Sequence, residues 1–295
     1  MINPNLKRLE QQIIDWATTC SSIRAAIVCG STERQVNPGD EWADLDFEIY
    51  ATDLSEFVKD TAWLNHFGTL WTHLQLQEDD NPVFLALYNG AEKVDFHFFN
   101  VKELQHLVDS QQLHDSYIRG YRLVIDKDNL AVKLPSFLST PPPFTRPSEN
   151  EFAFQVNAFW YGALYVAKQI RRRNLWVVKF RDWTAKQSLL KILEWHAQTT
   201  HQWNYDTWHD GHFMSQWLDA STWKALQFTF GEFEYDSSWR ALLATMDLFH
   251  QVAIETAHGL GYSYSLDLDN QVTEYVKSLY QADNLSHSPI RQNAG

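Results

Sequence analysis

The chain has 295 residues, 44% hydrophobic and 21% charged, with a net charge of −13. That balance suits a soluble globular protein with room for two domains, and no apolar run approaches the ~18 residues of a membrane-spanning helix. Residues 1–135 hold 21 Asp and Glu against 11 Lys and Arg, so this half repels a nucleic-acid backbone and permits a basic small molecule as partner. The start, Met1-Ile2-Asn3-Pro4, has neither the basic nor the apolar region of a secretory leader. Two cysteines, Cys20 and Cys29, are too few for a disulfide framework, so a cytoplasmic protein with reduced thiols and no membrane partner is expected.

Leu6 to Ala17 has helical spacing and precedes a strand, Arg24 to Cys29, that ends in a Gly30-Ser31 turn. A second strand, Asp44 to Tyr50, alternates strictly: Asp44, Asp46 and Glu48 share one face, while Leu45, Phe47 and Ile49 point into a core. Asp53 is placed to start a helix running to about His66. Strands follow near Leu70–Gln77, Val83–Tyr88 and Lys93–Phe99, the last two joined by the turn Tyr88-Asn89-Gly90-Ala91. A helix at Val101–Ser110 and a short strand at Arg122–Ile125 complete an α+β unit. The stretch to Glu149 contains Pro141-Pro142-Pro143 and Pro147, reads as an interdomain linker, and is followed by helical periodicity. Helices are expected at about 148–173, 178–198, 213–218, 222–228, 239–258 and 268–281, with a polar tail from Asn284.

Gly-Ser alone reads as a strand end, and Asp-x-Asp alone as a polar turn. Together they suit a divalent metal holding a nucleotide triphosphate. Gly30 lets the backbone turn tightly and approach phosphate oxygens, and Ser31 adds a hydroxyl donor. Asp44 and Asp46 offer hard oxygen ligands to Mg²⁺, and Asp95, on the alternating strand Lys93–Phe99, offers a third. Further along, Arg171-Arg172-Arg173 reads as a helix end favoured by the macrodipole; Lys168, close to it, reads equally as a neighbour of that cluster or as a cation for the triphosphate. His201, His209 and His212 fit no metal-ligand spacing.

With these motifs, the chain resembles the aminoglycoside 6-adenylyltransferases (streptomycin adenylyltransferases) of the nucleotidyltransferase superfamily, over about residues 5–282. The resemblance is carried by Gly30-Ser31, Asp44-Leu45-Asp46 and Val94-Asp95, then by Asp126-Lys127-Asp128, Asn150-Glu151-Phe152, Tyr165-Val166-Ala167-Lys168, Trp195-His196 and Leu260-Gly261-Tyr262. It implies an antibiotic-inactivating enzyme that transfers AMP from ATP to a hydroxyl of a cationic, streptomycin-like aminoglycoside, with Mg²⁺ at Asp44, Asp46 and Asp95. It also implies an α+β architecture: an N-terminal nucleotidyltransferase domain with a mixed sheet (1–135) facing a helical substrate-binding bundle (150–283), with substrates in the cleft between domains. The Pro-rich linker (136–149) and a flexible tail (284–295) follow from composition, and the sequence leaves the oligomeric state open, with a monomer favoured. Gly30, Ser31 and Lys168 are the expected nucleotide contacts. Asp95 and Glu151 are alternative general bases, Glu151 equally being an ordinary first-turn acid of its helix. Two positions depart from the family pattern: Thr32 stands where an Arg usually follows Gly-Ser, and Glu48 replaces an apolar residue. The rival readings are a nucleotidyltransferase acting on another hydroxylated drug or on a protein, and a nucleotide-binding homologue without catalysis.

Overall fold

The chain divides into two compact units, Met1–Pro142 and Pro143–Gly295. The computed structural model describes residues 3–137 and 144–287. The Pro141-Pro142-Pro143 run of the expected linker and residues 288–295 of the expected tail lie outside the described residues.

The first unit opens with α1 (Pro4–Thr19), where the Asn3 side chain accepts the Asn5 N–H and Pro4 takes a position that has no N–H to satisfy. Its helical stripe, Leu6, Leu9, Ile13 and Ala17, is buried. Six strands, β1 (Ile23–Cys29), β2 (Leu45–Ala51), β3 (Leu70–Glu78), β4 (Asn81–Tyr88), β5 (Lys93–Asn100) and β6 (Arg122–Asp126), form one sheet in the order β3-β4-β5-β2-β1-β6. Only β2 and β5 run parallel, so the sheet is mixed. Alternation splits it into two faces. Leu45, Phe47, Ile49, Val94, Phe96 and Phe98 pack with α1, whereas Ala25, Ile27, Cys29 and Tyr50 pack with Leu104 and Val108 of α3 (Val101–Ser110).

The single helix expected from Asp53 to His66 is two pieces: α2 (Ser55–Lys59) and a 3-10 segment, Thr61–Phe67. The break falls at Asp60, whose backbone is extended (φ −138°, ψ 115°) and whose carboxylate accepts the Ala62 N–H at 2.8 Å. Breaking the helix there lets Trp63 meet Phe96, with ring centroids 5.1 Å apart. A continuous helix would have to hold Asp60 in α geometry and bond the Ala62 N–H to the carbonyl four residues back, in place of the Asp60 cap.

The second unit is helical: α4 (Glu149–Arg171), α5 (Leu175–Thr200), α6 (Met214–Trp217), α7 (Ala220–Gln227), α8 (Tyr235–Leu260) and α9 (Leu266–His287). The α4 stripe of Phe152, Val156, Phe159, Trp160, Ala163 and Ala167 is buried, and Phe159 stacks on Phe249 of α8 at 3.6 Å. After α4, Arg173 adopts a left-handed conformation (φ 58°), and the Asn174 N–H donates back to Gln169 O at 3.1 Å. The turn is therefore short, and α5 begins at Leu175, ahead of the expected Val178. Helix α9 continues to His287, past the expected tail boundary at Asn284. Among the described residues no helix is long and apolar enough to cross a membrane.

Candidate active site

The parallel pairing of β2 with β5 sets Asp46 directly beside Asp95, and Leu45 beside Val94. Residues level with each other on neighbouring strands point the same way, so the two carboxylates share a face. The antiparallel neighbour β1 brings Cys29 level with Asp46, which delivers the Gly30-Ser31 turn to the same end of the sheet. Gly30 sits at φ +70°, and a Cβ there would lie 1.9 Å from Asp46 Oδ2. Glycine is required at this position: any side chain would take the space the Asp46 carboxylate fills. Ser31 lies in the 3-10 turn Gly30–Thr32, and its carbonyl accepts the Gly39 N–H at 2.7 Å.

Lys93, two residues before Asp95 on β5, completes the cluster. Its ammonium donates to Asp44 Oδ2 at 2.7 Å and to Asp95 Oδ2 at 2.9 Å. Burial alone would lower the Lys93 ammonium, but these two carboxylates raise it above its ordinary value. Asp46 is pushed up to about 6, first by burial and then by the neighbouring Asp95, with Lys93 opposing the shift. The other Asp95 oxygen, Oδ1, is buried without a hydrogen-bond partner.

Among the described residues no group of three or more His, Cys, Asp or Glu side chains is arranged to hold a metal ion. As the side chains stand, Lys93 is the cation between Asp44 and Asp95. The donor set nevertheless suits an added hard cation: two carboxylates share one lysine, a third beside Asp95 is driven toward protonation, and Asp95 has an unpartnered oxygen.

Beneath this layer on the same face lies Glu48, 3% exposed. Ser116 Oγ donates to its Oε1 at 2.5 Å; the hydroxyls of Tyr117 and Tyr50 donate to Oε2. His114 Nδ1 lies 3.4 Å from Oε1. Burial alone would raise the Glu48 carboxyl, but His114, Ser116 and Tyr117 together hold it below its ordinary value. A carboxylate in an expected apolar position is thus fully accommodated. Cys29 is buried beside it, and burial followed by the Glu48 charge raises its thiol, which keeps the sulfur inert.

At the other family departure, the Thr32 hydroxyl donates to Cys29 O at 3.3 Å. The guanidinium of Arg122, which lines a pocket with Thr32, is held by Glu33 at 2.9 Å and Glu10 at 2.6 Å.

In the second unit, Glu151 Oε2 accepts the Ser148 N–H and hydroxyl, both at 2.7 Å, closing a capping box on α4. Lys168 is exposed in the last turn of α4, whereas Arg171 is tied to the buried Asp283 at 2.6 Å. His212 and His209 meet through a backbone carbonyl and His201 lies against Tyr205, an arrangement of packing rather than ligation.

The first-unit residues expected at the site lie at one end of one sheet face. The sequence alone assigns no role to Lys93, His114, Ser116 or Tyr117. Alternation puts Lys93 on the face of Asp95, but its contact with Asp44 follows only from the β2–β5 register.

The streptomycin adenylyltransferase family model matches residues 5–279. An aminoglycoside 6-adenylyltransferase of Campylobacter jejuni is 27% identical, the match covering 92% of this chain and 94% of that protein. Its namesake in Bacillus subtilis is 24% identical over 92% and 98%. Among solved structures, the crystal structure of an aminoglycoside 6-adenyltransferase from Bacillus subtilis aligns with a TM-score of 0.43 and 20% identity, covering 93% of this chain and 97% of that one.

Proposed function

The chain belongs to the streptomycin adenylyltransferase family, a family of enzymes, and from that premise we propose that it transfers AMP from ATP to a hydroxyl of an aminoglycoside, with Mg²⁺ required and pyrophosphate released. The observation that carries the proposal is the β2–β5 register, which pairs Asp46 with Asp95 beside the Gly30 turn. Asp44, Asp46 and Asp95 would hold Mg²⁺, which when bound neutralises phosphate charge and polarises the reacting phosphoryl group. Gly30 leaves the backbone open to a phosphate, and Ser31 supplies a donor. Asp95 Oδ1, unpartnered in its buried position, is the acceptor we assign to the hydroxyl proton. We place it in the cytoplasm, where ATP is supplied and its two free cysteines stay reduced.

Glu151 we assign to helix capping, because its carboxylate is engaged with Ser148. Glutamine at that position keeps the box, so Glu151→Gln should leave kcat within about threefold of wild type; a loss of two orders of magnitude, near the effect of removing a general base, would make Glu151 the base instead. Lys168 remains available as a phosphate-binding cation, to be read from the KM for ATP of Lys168→Ala.

The acid excess of residues 1–135 supports a cationic acceptor. Fields between exposed charges are screened beyond about 8 Å at physiological salt. At saturating Mg·ATP, kcat/KM for an aminoglycoside should therefore fall roughly tenfold as salt rises, with kcat almost unchanged. Pyrophosphate release from a panel of aminoglycosides and uncharged hydroxylated drugs, titrated with salt, tests this. Turnover of an uncharged drug alone, independent of salt, would overturn the acceptor assignment.

A further inference from the structure

The register that assembles the carboxylates also sets a lysine among them. Val94 lies beside Leu45, so Lys93 is level with Asp44, and it shares a face with Asp95 two residues on. One ammonium bridges Asp44 Oδ2 and Asp95 Oδ2. An ammonium has donors only and cannot ligate a metal. A divalent ion using the same oxygens would sit against a like charge unless the lysine moves. Mg²⁺ also sheds water reluctantly and is usually held by one or two carboxylates together with phosphate oxygens.

We infer that Lys93 is a built-in competitor for the metal: it holds Asp44 and Asp95 in the free protein and yields them only to a metal that arrives on its nucleotide. The phosphates then give the displaced ammonium a new anionic partner. Bare divalent ion, which brings no such partner, must pay the repulsion in full. The inference rests on the carboxylate cluster being the metal site proposed above. Lys93 is a positioning residue in this scheme, acting through the two carboxylates. A merely structural lysine predicts the opposite sign, because losing its two ion pairs would loosen the strands and weaken metal binding.

The test is Mn²⁺ binding to the full chain, followed by electron paramagnetic resonance without nucleotide. Wild type and Lys93→Arg should bind free Mn²⁺ weakly. Lys93→Met, which keeps an unbranched stem and removes the charge, should bind on the order of a hundredfold more tightly, since a unit charge about 4 Å away is a multi-kcal/mol effect at the effective dielectric of such sites. Adding Asp46→Asn should abolish the gain. Should Lys93→Met fail to show a cooperative melt, Lys93→Gln carries the same expectation. If the uncharged variant binds Mn²⁺ no more tightly than wild type, while wild type binds it with a non-hydrolysable ATP analogue, the metal site stands and the role of Lys93 is overturned. If no variant binds Mn²⁺ even with the analogue, the metal site falls and the inference with it.

Discussion

Asp46→Asn is expected to lower turnover by at least about two orders of magnitude while making the metal-free protein more stable. The loss follows from metal sites supplying several kcal/mol of transition-state stabilisation, at about 1.4 kcal/mol per factor of ten. The gain follows from electrostatics. Burial and then Asp95 raise the Asp46 carboxyl from 3.8 to about 6, so between those values the folded state binds more protons than the unfolded one. Stability therefore falls as pH rises through that window, and the full penalty is present at neutral pH. Asparagine keeps the shape over Gly30 and removes the charge. Two units correspond to about 3 kcal/mol at most, and relaxation of the side chain reduces the expected gain to roughly 1–2 kcal/mol. Urea unfolding of the metal-free protein should show the variant more stable at neutral pH and equal to wild type below about pH 4. A variant with near-normal turnover, or one less stable at neutral pH, contradicts the site.

Glu48→Ala is expected to destabilise the first unit by about 3–5 kcal/mol, the range for stripping one partner from a buried charged network. It would strand Ser116, Tyr117, Tyr50 and His114, whose polar groups converge on a side chain 4% exposed. Glu48→Gln separates charge from shape and should cost less, with a pH dependence of its own. The Glu48 carboxyl is lowered below 4.5 in the fold, so its contribution is complete above that value and is lost as pH falls through the folded value. The His114 imidazole is raised above 6.5, chiefly by its bond to Glu48, so its contribution is complete below 6.5 and is lost as pH rises. The penalty of Glu48→Gln should be greatest between about 4.5 and 6.5 and shrink as pH rises further, through the raised His114 value. A penalty that is flat with pH would mean that the pair carries no charge.

The legible part of the molecule is the part governed by local alternation. Asp44-Leu45-Asp46 and Val94-Asp95-Phe96 show which residues face a core and which do not, because the period of a strand is two. The α4 stripe is equally plain at a period of 3.6. What stays hidden depends on pairing between distant segments. Lys93 reaches Asp44 only because β2 and β5 run parallel in one particular register. Glu48 draws its partners from residues 114–117, a turn with no periodicity to mark it. The break at Asp60 is of the same kind: local propensity favours one helix, and packing of Trp63 against the sheet overrides it.

The proposed reaction carries AMP to an aminoglycoside hydroxyl at this carboxylate face. The most direct measurement is mass and NMR analysis of an aminoglycoside incubated with ATP, Mg²⁺ and either wild type or Asp46→Asn. One adenylyl group on a single drug hydroxyl is expected, with one pyrophosphate released for each and no product with the variant. Unmodified drug across the whole aminoglycoside panel, or equal product from Asp46→Asn, would contradict it.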